Sequence, residues 1–312
     1  MKKAILITNK FLNTDKFAEH YIWLEKAAAD HEIKLSLWDN TEIMCGYDTG
    51  DDERLKERLR GVSFVIYWDK DILAGEKLSG ICKEMNIPVY NSIESIRVCD
   101  NKAETYQKIW EWNNAHKNEK IPVIPTIVAP MTYPNIGYTS CDFIDNVIKK
   151  LGLPLIVKEC YGSFGAQVYK AETYEEVVNL TTKLAGKQLI YQKYMKKSSG
   201  RDVRIQVVGD RVVASMYRYS TDCDFRANIT NGGSMKCYTP SEAECNLALL
   251  TTKALGLDFA GIDLLFSGSG KNGADEADIV CEVNSNAHFK NIHTCTGVNV
   301  AEKIIEYILS QL

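Results

Sequence analysis

The chain has 312 residues, 45% hydrophobic and 25% charged, with 37 Lys and Arg against 41 Asp and Glu for a formal net charge of −4. Such a chain has enough apolar surface for two or three compact units, which excludes a disulfide-stapled miniprotein and a disordered chain, and its slight acidity gives no electrostatic footprint for nucleic acid. The longest apolar run, Phe64 to Trp68, is far short of the ~18 residues of a spanning helix, and Ala4 to Ile7 is too short for a signal-peptide core, so no membrane association and a cytoplasmic location are expected.

Short runs rich in Ile, Leu and Val at 3–9, 33–38, 62–68 and 87–90 alternate with helical periodicity over Lys16 to Ala29, Asp52 to Arg60 and Glu76 to Met85. That alternation predicts β-α-β units and a parallel sheet. The stretch after the first run, Ile5 to Asp15, contains no glycine, which argues against a dinucleotide site of the usual kind. Ligands still gather at the carboxyl ends of such strands, where Asn9 and Lys10 follow the first and Trp68, Asp69 and Lys70 the third.

Near residue 97 the texture changes. Asp100-Asn101 caps a helix to about Trp112, a polar run covers Asn113 to Lys120, and a proline-marked strand covers Ile121 to Val128. Pro130, Pro134 and Gly137 mark a loop and Phe143 to Leu151 a helix. Leu155 to Glu159 and Gln167 to Lys170 read as a hairpin whose tip carries Gly162 and Gly165. After a helix over Tyr174 to Leu184, strands are expected at 188–192, 203–208, 211–218, 260–266 and 278–284, with helices at 241–255 and at the C-terminus. Residues 267–277 read as a long hairpin turn. The expected division is 1–97, 98–190 and 191–312. Ten cysteines without any C-x-x-C spacing read as reduced, mostly buried thiols, and five histidines without finger-like spacing give zinc no support.

The chemistry-bearing residues lie in the second and third units. Lys158, near the end of an apolar strand, precedes Gly162-Ser163-Phe164-Gly165, whose open backbone amides are suited to cradling phosphate oxygens. Asp263 stands in the apolar run Ala260 to Phe266, where a carboxylate needs a cation. Glu282 and Asn284, two apart, share one face of a strand. Together these three are hard oxygen donors suited to magnesium on nucleotide phosphates. Arg204 and Arg218, on neighbouring predicted strands, have the planar fork that binds carboxylate or phosphate. The competing reading is structural: the acids pair with core arginines, and Arg204 or Arg218 pairs with Asp202 or another acid.

From Gly200 to Val298 the sequence resembles the ATP-grasp carboxylate-amine ligases of RimK type, which add glutamate to a ribosomal protein. The motifs occur in order as Gly200-Arg201-Asp202-Val203-Arg204, Val207-Val208-Gly209-Asp210, Asp224-Phe225-Arg226-Ala227-Asn228, Gly256 to Asp263 and Glu282-Val283-Asn284. The resemblance extends more weakly over nearly the whole chain. It implies an α/β, ATP-grasp fold with an N-terminal parallel-sheet domain, a small central α+β domain and a C-terminal α+β domain, with ATP between the last two. It also implies that Lys102 and Lys158 contact phosphates while Gly162, Ser163 and Gly165 close over them. Gln192, Lys193 and Tyr194 would form the hinge that reads adenine, Asp202 would meet the ribose, and Arg226 and Asn228 would approach the reacting groups. Asp263, Glu282 and Asn284 would hold Mg2+, with Mn2+ as a substitute, and Arg204 and Arg218 would stabilise an acyl phosphate.

The resemblance thus implies an ATP- and magnesium-dependent ligase that activates a carboxylate and joins it to the amine of an amino acid, glutamate first. The acceptor would be a peptide, a protein C-terminus or a small molecule, and a homo-oligomer is compatible with the family's habit of association. Two departures stand out. Lys193 replaces a hinge residue that is often glutamate, and Ser285-Asn286-Ala287-His288-Phe289 replaces a small residue followed by proline and glycine, beside which substrate is expected. His288 reads as a loop cap or as a contact for an incoming carboxylate or amine. Tyr67-Trp68-Asp69, in the least similar module, would shape the acceptor site. The alternatives are a ligase that cross-links a precursor peptide and a non-catalytic ATP sensor.

Overall fold

Four strands, β1 (Lys2–Thr8), β2 (Ile33–Asp39), β3 (Val62–Tyr67) and β4 (Val89–Tyr90), form a parallel sheet in the order β2-β1-β3-β4. In this computed structural model the described residues are all but 13–14, 45, 163–164, 223, 228–231 and 269–275, together with the side chains of 15 and 16. Strand alternation divides the sheet's apolar residues between two cores. Ala4, Leu6, Phe64 and Ile66 face α1 (Asp15–Asp30), whereas Ile5, Ile7, Val65 and Tyr67 face α2 (Asp51–Leu59) and α3 (Ile72–Glu84).

After α4 (Ile93–Asp100), Asn101 caps α5 (Lys102–Ala115): its side-chain oxygen accepts from the amides of Ala103 and Glu104, as the sequence implied. The second sheet is antiparallel, in the order β5-β8-β6-β7, from β5 (Thr126–Val128), β6 (Leu155–Glu159), β7 (Val168–Ala171) and β8 (Leu189–Lys193). α6 (Phe143–Leu151) and α7 (Tyr174–Lys183) cover one face through Leu155, Val157 and Tyr191. The expected strand over 121–128 is only three residues long here, because Pro122 and Pro125 have no N–H to donate; the preceding stretch instead bridges Val123 to Val280.

The third sheet, in the order β11-β10-β9-β12-β13, is also antiparallel. It contains β9 (Arg201–Val208), β10 (Arg211–Tyr219), β11 (Ser234–Cys237), β12 (Phe259–Leu265) and β13 (Ile279–Asn284). Val203, Ile205, Val207, Ala260, Ile262 and Leu264 form its apolar face, packed by α8 (Glu242–Ala254), which starts with a Ser241/Glu244 capping box. β11 and α9 (Lys290–Thr296) were not expected from the sequence. α10 (Val300–Gln311) runs back to the N-terminal sheet, so that Ile304, Ile305 and Ile308 share a core with Leu6, Leu24 and Phe64. Among the described residues no helix is long and apolar enough to cross a membrane. The expectation of mostly buried thiols needs correcting, since Cys82, Cys99 and Cys160 are buried whereas Cys141, Cys237, Cys245, Cys281 and Cys295 are partly or fully exposed.

Candidate active site

Directly opposed residues of an antiparallel pair project from the same face. The register therefore builds the site. Arg218 lies opposite Asp202, Arg204 opposite Asp263 and Asp263 opposite Glu282; one step along, Gln206 lies opposite Gly261 and Gly261 opposite Asn284. Seven polar or charged side chains and one glycine thus line the face of the third sheet away from α8.

A bulge between Asp263 and Leu264 sets two residues of β13 against one of β12. Both Cys281 and Glu282 then meet lysines, one from β6 and one from α5. Lys158 Nζ is 3.8 Å from Cys281 Sγ, and Lys102 Nζ is 3.5 Å from Glu282 Oε1 while donating to the Gly162 carbonyl at 3.0 Å. A third bridge runs from Arg226 Nη1 to the Gly165 carbonyl at 3.0 Å. The glycine tip, the two lysines and the acidic face are therefore one assembly. Gly162 has φ 147°, and a Cβ there would meet the Gln167 side chain at 2.5 Å, so a side chain would strain this turn twice over.

Four charges neutralise one another at the centre. Arg204 grips Asp263 with Nε–Oδ1 and Nη2–Oδ2 contacts of 2.6 Å, and Arg218 grips Asp202 at 2.6 and 2.8 Å while reaching Asp263 Oδ2 at 2.9 Å. Burial alone would raise the Asp263 carboxyl, but the two guanidiniums outweigh it and hold the group below the usual carboxylate range. For Asp202 burial prevails and raises the carboxyl despite Arg218. The structural reading weighed above is thus part of the arrangement: Asp263 does pair with core arginines. Both oxygens of Asp202, expected at a ribose, are taken by Arg218.

The donor set still fits a hard divalent cation. Glu282 keeps 33% of its side chain accessible and faces Asp263 across the ladder, with Asn284 on the same face. Asp263 would share or exchange one guanidinium for the metal.

The face of the second sheet turned toward this site carries Lys158 and Gln192. Gln192 is 1% exposed; its Nε2 donates to Thr126 Oγ1 at 2.9 Å and its Oε1 has no partner among the described residues. Lys193 and Tyr194 follow at the crossing from the second sheet to the third; the Lys193 amide donates to the Pro125 carbonyl and Tyr194 Oη to Ser199 Oγ. Ser163 and Asn228 lie outside the described residues, as does most of the 267–277 turn. The His288 ring lies 4.7 Å from that of Phe17 and 4.4 Å from that of His20.

Three participants were not singled out from the sequence. Burial pushes the Cys281 thiol up to about 11 although Lys158 pulls it down, and only the bulge turns this residue into the site. Gln206, 1% exposed with an Oε1 that has no partner among the described residues, could have been found from its two-residue spacing after Asp202 and Arg204. Tyr106 Oη donates to the Cys281 carbonyl at 3.2 Å from α5, a contact with no local signal.

Residues 126–308 match a family described as the RimK-like ATP-grasp domain. A protein of Trichodesmium erythraeum (strain IMS101) named "Probable alpha-L-glutamate ligase" is 38% identical over 163 residues, which is 52% of each chain. The chain thus spans about half the length of the curated relative it matches. Two solved structures share the fold over nearly the whole chain. The D-cycloserine synthetase DcsG has a TM-score of 0.68 at 15% identity, covering 99% of both chains. The ATP-grasp ligase PsnB, complexed with a phosphomimetic variant of its minimal precursor, Mg and ADP, has a TM-score of 0.66 at 14% identity, covering 100% of this chain and 99% of that one.

Proposed function

The chain belongs to the RimK-like ATP-grasp family, and from that premise we propose that it is an ATP- and magnesium-dependent ligase acting in the cytoplasm, which joins a carboxylate to the amine of an amino acid, glutamate first. The observation that carries the reading is the registered row Arg204–Asp263–Glu282, facing Lys102 and Lys158 of the adjoining unit. Anion-binding groups and metal-binding groups there share one gap. The division at 97 and 190 into an N-terminal unit and two ATP-grasp units is part of the same proposal.

Asp263, Glu282 and Asn284 would hold magnesium, or manganese in its place, and the metal would supply charge neutralisation on the transferred phosphoryl group. Lys102, Lys158 and Arg226 would bind phosphate oxygens, with Gly162 to Gly165 closing over them and Asn228 beside them. Gln192, Lys193 and Tyr194 would seat the base, and the unpartnered Gln192 Oε1 supports this because it can accept from an exocyclic amine. Asp202 would orient Arg218, and reaching the ribose would require it to leave that pair.

The chemistry has two transfers. A carboxylate oxygen of the acceptor attacks the γ-phosphorus, the bond to the β-phosphate oxygen breaks and ADP departs. The amine nitrogen then attacks the acyl carbon, the acyl–oxygen bond breaks, and inorganic phosphate leaves as the nitrogen loses its proton. Arg204 and Arg218 would stabilise the negative charge of the acyl phosphate. The acceptor would be a peptide, a protein C-terminus or a small molecule.

ADP release from magnesium-ATP, measured with each of the twenty amino acids with and without a short peptide ending in glutamate, tests the proposal. Glutamate-dependent release that Asp263→Ala abolishes is expected, with mass spectrometry identifying the amide. Unaltered turnover in Asp263→Ala would overturn the metal assignment; no turnover with any pair, despite ATP binding, would favour a nucleotide sensor.

A further inference from the structure

Two of the described cysteines bring their sulfurs into van der Waals contact outside the proposed active site: Cys237 Sγ and Cys295 Sγ lie 3.6 Å apart, across 58 positions of sequence. Cys237 ends the edge strand β11 and is exposed; Cys295 sits in α9 and is half-buried. The Cys237 thiol donates to the Cys295 carbonyl oxygen. A disulfide needs about 2.05 Å between sulfurs, so an approach of about 1.5 Å closes the bond, within reach of a side-chain rotation that exchanges the carbonyl contact for the sulfur.

We propose that Cys237 and Cys295 form a dithiol site oxidised by hydroperoxides, whose disulfide clamps α9 to β11 and slows the ligase reaction. The roles of the two sulfurs differ. Cys237, at the surface, meets the oxidant: its sulfur attacks the peroxide, the O–O bond breaks, the thiol proton passes to the departing oxygen, and a sulfenic acid and water result. Burial, reinforced by the neighbouring sulfur, pushes the Cys295 thiol up to about 11, so it keeps its proton while Cys237 reacts first; the 3.6 Å approach of the two sulfurs is what places it for the second step. Its sulfur attacks the sulfenic sulfur and a second water departs. In sum, two thiols and one hydrogen peroxide give one disulfide and two waters.

The clamp's effect follows from the segments it joins. β11 follows the stretch containing Arg226, whose guanidinium holds the Gly165 carbonyl, and α9 directly follows the Ser285 to Phe289 loop that leaves Asn284. A covalent tie fixes both against each other, so neither can shift when nucleotide or acceptor enters. This consequence for turnover rests on the ligase reading, whereas bond formation does not.

The full chain is treated with a few equivalents of hydrogen peroxide, its remaining thiols are alkylated, and unreduced peptides are analysed by mass spectrometry. A linked peptide joining Cys237 to Cys295 is expected, absent from Cys237→Ser and from Cys295→Ser. The unreduced protein should melt about 5 °C higher than the dithiothreitol-treated one, the shift vanishing in either variant. Magnesium-ATP turnover should fall several-fold on oxidation, recover with dithiothreitol and be insensitive to peroxide in Cys237→Ser. Lack of the linked peptide, or an equal peroxide-induced loss in Cys237→Ser, which would move the effect to another thiol such as Cys281, overturns the proposal. If no acceptor supports turnover, the ligase reading fails by itself, and the clamp stands or falls on the linked peptide and the melting shift.

Discussion

Asp69 and Asp263 are both buried carboxylates, and their acidities move in opposite directions. Asp263 has two guanidiniums; Asp69 has the amide of Lys70 and Asn9 Nδ2 on Oδ1 at 2.7 and 3.0 Å, and no partner for Oδ2 among the described residues. Burial accordingly raises the Asp69 carboxyl above the ordinary range. With a native value above the unfolded one of about 3.9, the native state binds more protons in between, so stability falls as pH rises through that window and the deficit persists above it. Asp69→Asn retains an acceptor for both donors and removes the charge. Its melting temperature relative to the parent should increase from about pH 4 to pH 7; a difference independent of pH would refute the assignment. Residues with fixed alternation were legible in the sequence: Glu282 and Asn284 share the face that their spacing predicted, whereas their pairing with Asp263 comes from the ladder register. Cys281 was not, because strict alternation turns it away and only the bulge turns it back.

At the scale of elements, Gly261 lets the loop after β13 lie on β12. A Cβ at this position would stand 2.6 Å from Ala287 Cβ, closer than any real contact, and 3.6 Å from Arg204 Cδ. Gly261→Ala should cost about 1–3 kcal/mol in denaturant unfolding and displace the Ser285 to Phe289 loop. Adding Ala287→Gly should restore much of the loss, and failure of this rescue would show that the clash lies elsewhere. The long elements were readable: the Asn101 cap, the Phe143–Leu151 helix and the Leu155–Glu159 strand follow from cap chemistry and periodicity. β11 and α9 were not, since four and seven residues are too few for a period to emerge and α9 has no side-chain cap. Pro122 and Pro125 gave the extended character of their stretch but not its partner, which depends on β13.

Across the whole molecule, cores are divided unequally. The second sheet has its own core from Leu155, Val157, Tyr191, Ile144 and Val177, whereas the N-terminal sheet shares one with Phe259, Phe289 and α10. Hydrogen exchange should therefore open β6 and β8 at a lower free energy than β1, β3 and α10, which should exchange together. One common opening energy for all of them would contradict this division. The sequence suggested a boundary near 97 by its change of texture, but could not foretell that the C-terminal helix returns to the N-terminal sheet, since no local pattern encodes a partner so distant. That return has a consequence for biosynthesis. At about 5–20 residues per second, Leu6, Leu24 and Phe64 leave the ribosome tens of seconds before Ile304, Ile305 and Ile308, so the sheet and α1 made first must wait with part of their shared flank uncovered until the helix made much later arrives.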